Sequence, residues 1–167
     1  PLFFWKPTQE HGYLGQWHMS AFTDTSNESQ TFCCAEQYMM YHKAVLFNDS
    51  SIAAQIMRTT SPKQHKALGA KVKKFDEKVW NEHKEEIVEK GNWLKFTQSE
   101  ELKNRLLSTG ERELLEASPY DRIWGIGFHA GTALKVNRDL WGQNLLGKAL
   151  MRVRDRLKAE TQQADGE

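Results

Sequence analysis

Apolar residues change their spacing several times along the chain, and each change marks an element. Leu2-Phe3-Phe4-Trp5 is a short aromatic run stopped at Pro7, which predicts a strand. A Gly-bearing loop from His11 to Trp17 follows. Thr23 to Ser29, rich in Ser, Thr, Asn and Asp, reads as a turn, and Gln30-Thr31-Phe32-Cys33 as a second short strand. Helical patterning begins at Ala35 and runs without Gly or Pro to Phe47. Asn48-Asp49-Ser50 supplies a cap for a helix from Ser51 to Arg58, and Ser61-Pro62 sets Pro in the first turn of a third. Phe75, Val79, Trp80, Ile87 and Val88 keep helical spacing up to Lys90, with Gly91 expected to end the run. Leu102, Leu106 and Leu107 mark the next helix, closed by Gly110. Beyond Pro119 the pattern turns extended, and Tyr120 to Trp124 leads into Gly125-Ile126-Gly127-Phe128, read as a strand ending in a loop. The last helix is the most regular: Leu146, Ala149, Leu150, Val153 and Leu157 form a stripe for the core that leaves Arg152, Arg154, Arg156 and Lys158 to water. The tail, residues 159–167, lacks apolar spacing and is expected to fray.

These elements predict an α+β protein, predominantly helical, with a few short strands from the Phe3, Phe32 and Ile123 regions. No internal repeat is visible and the connections are short, so residues 1–158 are expected to form a single domain. At 167 residues such a chain can bury a sizeable core without disulfides or metal. With 23 Lys+Arg against 22 Asp+Glu the net charge is +1, so any anion recognition must be local rather than a global field. No apolar run approaches the roughly 18 residues of a membrane span, and no signal-peptide pattern opens the chain. The adjacent Cys33 and Cys34 read as reduced thiols, which places the protein inside the cell, in the cytoplasm. The chain opens at Pro1 rather than Met, leaving room for domains fused to it.

The helix from Ala35 to Phe47 concentrates the candidate chemistry. Tyr38, Met39, Met40, Tyr41, Ala44, Val45, Leu46 and Phe47 wrap apolar character around nearly its whole circumference, which predicts burial. Glu36 and Lys43 fall on one face of it, roughly 10 Å apart along the axis. That separation is too long for a direct ion pair and costly unless something polar lies between the two. A partly desolvated lysine can serve as nucleophile and a carboxylate can move protons or orient water. The plain structural alternative is a first-turn glutamate favoured by the helix dipole and a lysine that snorkels to solvent.

Aromatic rings beside glycines recur in Gly15-Gln16-Trp17 and in Asp121-Arg122-Ile123-Trp124-Gly125-Ile126-Gly127. That combination suits a nucleobase stacked on a ring while open backbone donates to phosphate or ribose oxygens. Each tryptophan taken alone is more often core. The lone Gly-x-Gly lacks the third glycine of a dinucleotide fingerprint. Lys71-Val72-Lys73-Lys74, with Lys63 and Lys66, could form a local anion site or simply a solvated helix face. The six histidines show no metal spacing, so neither metal nor cofactor is expected.

Five motifs in order resemble the NADAR (YbiA-like) family: Gly12-x-Leu14-Gly15-Gln16-Trp17, Ala35-Glu36-Gln37-Tyr38 with Lys43-Ala44, Trp80, Asp121-x-x-Trp124-Gly125-x-Gly127, and Trp141-x-x-Asn144-x-Leu146-Gly147. The resemblance runs from about Phe4 to Arg156. It implies N-glycoside hydrolysis, either of phosphoribosylamino-pyrimidines on the riboflavin route or of ADP-ribose attached to guanine bases. It also implies Glu36, Lys43 and Asp121 as catalytic residues, and Gln16, Trp17, Trp80, Trp124, Gly125, Gly127 and Asn144 as substrate-binding residues. Gly15-Gln16, where the family often has Ser-Asn, and Ile126, where it often has a polar residue, bear on the choice of substrate. The competing reading is a non-catalytic module that binds ADP-ribose or a related nucleotide. A helical protein-interaction domain is disfavoured because it explains none of the charges on the Ala35–Phe47 helix.

Overall fold

The computed structural model describes residues 1–26 and 28–166. The described residues form seven α-helices and four three-residue strands, so the protein is α+β with helix predominating. They divide into two compact units, one of Gln16–Gln98 and one of Pro1–Gly15 with Ser99–Glu167. Among the described residues no helix is long and apolar enough to cross a membrane.

The Gln16–Gln98 unit holds strands β2 (Phe22–Asp24) and β3 (Gln30–Phe32) and helices α1 (Ala35–Leu46), α2 (Ser50–Arg58), α3 (Pro62–Gly69) and α4 (Glu77–Thr97). Three of the helix starts follow from side chains that accept from orphan N–H groups. Asp49 accepts from Ile52, Ser61 from Gln64 ahead of Pro62, and Asp76 from Lys78 and Val79. β2 and β3 pair antiparallel with Phe22 opposite Phe32, and both rings pack on Tyr38 of α1 at 5.9 and 5.1 Å. The segment read as a turn from Thr23 therefore begins as strand: one buried ring at Phe22, matched across the ladder, fixes it. The bend comes at Asp24, whose carboxylate accepts from the Ser26 amide at 3.0 Å and the Ser26 hydroxyl at 2.7 Å. Asn27 of that turn lies outside the described residues.

Gly91 does not end α4, which runs on to Thr97. A Cβ at Gly91 would stand 2.6 Å from Cδ1 of Tyr38, so the glycine admits the Tyr38 ring rather than breaking the helix. Burial of α1 is graded. Ala35 to Met40 are buried, whereas Val45 is 46% exposed.

In the other unit, β1 (Leu2–Phe4) and β4 (Leu114–Glu116) pair in parallel, Leu2 opposite Leu114. With them are α5 (Glu100–Ser108), a short α6 (Ala130–Ala133) and α7 (Leu145–Asp165). No strand forms around Ile123, contrary to the sequence reading. Asp121 Oδ1 accepts from the amides of Ile123 (2.9 Å) and Trp124 (2.8 Å), which folds the chain back on itself. The carbonyls of Arg122, Ile123, Trp124 and Gly125 then accept from the amides of Gln143, Leu145, Leu146 and Asn144, so a pairing of loops replaces a ladder. The apolar stripe of α7 is buried as expected, but Arg154, expected in water, is 3% exposed. Its guanidinium donates to Thr109 Oγ1 and to the Arg112 carbonyl, both at 2.8 Å, and so satisfies acceptors just beyond the C-terminal end of α5. Lys158 is half-buried and donates to the Gly110 carbonyl at 2.8 Å. α7 continues through Ala159 to Asp165, with those last seven residues exposed.

Candidate functional site

In the Gln16–Gln98 unit the structure gathers Gln16, Glu36, Lys43 and Trp80. Glu36 sits in the first turn of α1, only 7% exposed, where the helix dipole favours a carboxylate. Its backbone N–H donates to the Gln16 carbonyl at 3.0 Å. The Gln16 amide is itself fixed: Oε1 accepts from Asn92 Nδ2 at 2.9 Å, and Nε2 lies 3.8 Å from Met39 Sδ. Asn92 is fully buried on α4 and donates also to the Val88 carbonyl. Trp17, next in the chain, is 36% exposed.

Two turns along α1, Lys43 is half-buried with its ammonium 4.6 Å from the Phe75 ring centre and 5.6 Å from that of Trp80. Trp80 is 8% exposed in the first turns of α4, downstream of the Asp76 cap. Burial lowers the Lys43 pKa from its ordinary value, and the Glu36 carboxylate pulls it partly back. Such a pair can stabilise positive charge developing on a sugar carbon and can present an amine that loses its proton more readily than a solvated one.

Phe75, named in the sequence only as the first apolar position of the run up to Lys90, and Asn92 were not read there as site residues. Asn92 carried a usable signal, since it stands four residues from Val88 on the buried face of α4. Phe75 carried less, because it precedes the helix and is 45% exposed. The lysines of the 71–74 run are exposed and lie in the connection between α3 and α4, not on a helix face. The Lys73 amide there donates to Asp49 Oδ2 at 2.9 Å, and this bond with the one from Ile52 holds the Asp49 pKa below the usual carboxylate value.

The remaining named residues belong to the Ser99–Glu167 segment. Asp121 is half-buried, and its Oδ1 is the acceptor that closes the turn over Trp124. Gly127 has φ +77°, a conformation strained for any side chain, and a Cβ at Gly125 would meet the Glu116 carbonyl at 2.8 Å. Asn144, left-handed at φ 52°, is buried with both ends of its amide on β4: Oδ1 accepts from Glu116 at 3.0 Å and Nδ2 donates to Leu114 at 2.9 Å. Asn144 thus fastens β4 to the start of α7. The same unit contains a cavity of about 260 Å³ whose walls include Phe3, Trp5, Gln9, His11, Ala117 and His129. In its wall the Trp5 and His129 rings meet edge-on at 5.1 Å. A group of donors that could hold a metal is separate from these residues: Cys33, Cys34 and His65 at the foot of α1.

The sequence model of the NADAR domain matches residues 3–158 and so runs through both units. N-glycosidase R617 of Acanthamoeba polyphaga mimivirus is 44% identical over 145 residues, 85% of each chain. N-glycosidase YbiA of Escherichia coli is 31% identical over 133 residues, 80% of this chain and 75% of YbiA. The riboflavin biosynthesis protein VVA0006 of Vibrio vulnificus is 27% identical over 95% of this chain, which spans 39% of that protein. The NMR structure of Escherichia coli YbiA superposes with a TM-score of 0.77 at 26% identity, covering 96% of this chain and 86% of YbiA. Matched by the domain model along nearly its whole length and by relatives above 30% identity, the chain belongs to the NADAR domain family.

Proposed function

We propose that this protein is an N-glycosidase that hydrolyses the bond between C1′ of a phosphorylated ribose and the nitrogen of a base. The observation that carries the reading is the placing on α1 of a buried Glu36 in the first turn and, seven residues on, of Lys43 with its ammonium against the Phe75 and Trp80 rings. The names of the viral and bacterial relatives support the same reaction class.

In this reading the base leaves with a proton delivered by Glu36 while positive charge develops at C1′. The Lys43 amine then bonds to C1′, the ring oxygen takes a proton as the ring opens, and a Schiff base results. Water adds to C1′, the amine departs, and the sugar closes again. The net change is one water consumed for one free base and one phosphorylated ribose. Trp80 offers a flat face for base or sugar. Asp121 enters as a second proton-handling group on the family resemblance. Gln16, Trp17, Trp124, Gly125 and Gly127 enter on the same ground as substrate contacts. Asn144 contributes by holding the loop of residues 122–126 through its place at the start of α7.

Of the two substrate classes, phosphoribosylamino-pyrimidines gain from the printed name of the Vibrio vulnificus relative, and ADP-ribosylated guanine is the other arm of the test. The folded chain is incubated with each and released base is quantified by chromatography. Release from the pyrimidine compound is expected. Release from ADP-ribosylated guanine alone would move the substrate assignment, and release from neither would remove the glycosidase reading.

A further inference from the structure

The two cysteines that the glycosidase chemistry leaves unused sit with a histidine where β3 passes into α1. Cys34 Sγ lies 3.8 Å from Cys33 Sγ and 3.7 Å from His65 Nδ1, and the three donor atoms all fall within 4.8 Å of one another. The two spacings to Cys34 match the edges of a coordination tetrahedron. Two Zn–S bonds of about 2.3 Å at a tetrahedral angle place the sulfurs about 3.8 Å apart, and a Zn–S with a Zn–N bond places sulfur about 3.6 Å from nitrogen. His65 Nε2 lies 2.6 Å from the Thr59 carbonyl, which can only accept, so the ring proton belongs on Nε2 and the Nδ1 lone pair faces Cys34. A second ring nitrogen donating to a backbone carbonyl is how proteins orient metal-binding imidazoles.

Cys34 and His65 are fully buried while Cys33 is half exposed, which gives an ion an entry path and leaves one position for water. We propose that Cys33, Cys34 and His65 form a zinc site, with two thiolates, the His65 Nδ1 and a water completing a tetrahedron. On binding, each thiol loses its proton to solvent, so one Zn²⁺ and two S–H groups yield two Zn–S bonds and two released protons. The soft donor set selects zinc over magnesium or calcium, which require oxygen. Because Cys34 immediately precedes α1 and His65 lies on α3, the ion clips the start of the helix that carries Glu36 to α3.

The test uses the whole chain, stripped of metal and kept reduced with a phosphine, titrated with zinc against a chromophoric chelator and separately with cobalt(II) as a spectroscopic stand-in. One equivalent of zinc should bind, and cobalt should give a thiolate charge-transfer band together with tetrahedral visible bands. The Tm should rise with zinc. Cys33→Ser, at a half-exposed position that leaves the fold in place, should weaken zinc by more than the roughly 10–100-fold typical of losing an outer-shell partner. Cobalt bound without a thiolate band, zinc affinity unchanged in Cys33→Ser, or no stoichiometric binding by the folded protein would each overturn the site. Glycosidase activity plays no part in these readouts.

Discussion

Glu36 is 7% exposed and Lys43 is half-buried, so little bulk water is available to either charge, and the Glu36 carboxylate opposes the lowering of the Lys43 pKa by burial. Replacing Glu36 by Gln keeps size and hydrogen-bonding capacity but removes the proton donor. Turnover is expected to fall by about 10²–10⁴ with substrate binding retained, the scale of lost general acid catalysis. Turnover and calorimetric affinity measured on one preparation check this, and a nucleotide-binding module would have no activity to lose. For Lys43 the lowered pKa sets the alkaline side of the pH dependence. One proton must be held between Glu36 and Lys43, so activity is lost both when both groups are protonated and when neither is, and kcat/KM should be bell-shaped with its alkaline limb below the pH at which a solvated lysine titrates. Borohydride added during turnover should leave the sugar attached to Lys43, read by peptide mass. An active enzyme with unmodified Lys43 would leave the lysine an electrostatic role only.

At the scale of elements, the interlock of α1 with α4 sets where those side chains stand. The Tyr38 ring lies on Gly91 and is held by Phe22, Phe32 and His42 at centroid distances of 5.9, 5.1 and 4.3 Å. Gly91→Ala would gain about 1 kcal/mol of helix propensity. It would also force a methyl to within contact of a ring that has nowhere to move, an overpacking cost of about 1–3 kcal/mol. Overpacking should win, with a net loss of up to about 2 kcal/mol by urea denaturation, and an unchanged or higher midpoint would show that the ring can yield. Gly91 also marks a limit of sequence reading. A glycine after a periodic run signals a stop by local rules, but here the missing Cβ answers a residue more than fifty positions away.

For the whole molecule, a buried titratable group sets how stability depends on pH. Lys95 is 1% exposed, and burial lowers its ammonium to about 7, with Cys34 acting in the opposite sense. The unfolded chain holds that proton up to about 10.4, so between roughly pH 7 and 10 the unfolded state binds more protons than the native one. Stability should therefore rise with pH across that window, by at most about 1.4 kcal/mol per pH unit from this group. Urea midpoints of the chelator-treated protein should show the rise, and Lys95→Met should flatten it.

Much of this was legible from spacing alone. The caps at Asp49 and Ser61, the α7 stripe, the strands at Leu2–Phe4 and Gln30–Phe32 and the placing of Glu36 and Lys43 on one helix are local facts, set by periodicity and by side chains that reach N–H groups a few residues away. Tertiary structure decided what depends on distant partners. β4 forms at Leu114–Glu116 because Leu2–Phe4 pairs with it, and the Ile123 region becomes turns because its carbonyls meet the amides before α7. Arg154 goes inside because unsatisfied acceptors follow the end of α5, and Cys33, Cys34 and His65 meet because α3 returns to the start of α1. Periodicity fixes which face of an element is apolar; which polar groups that face must satisfy is known only once the neighbouring backbone is in place.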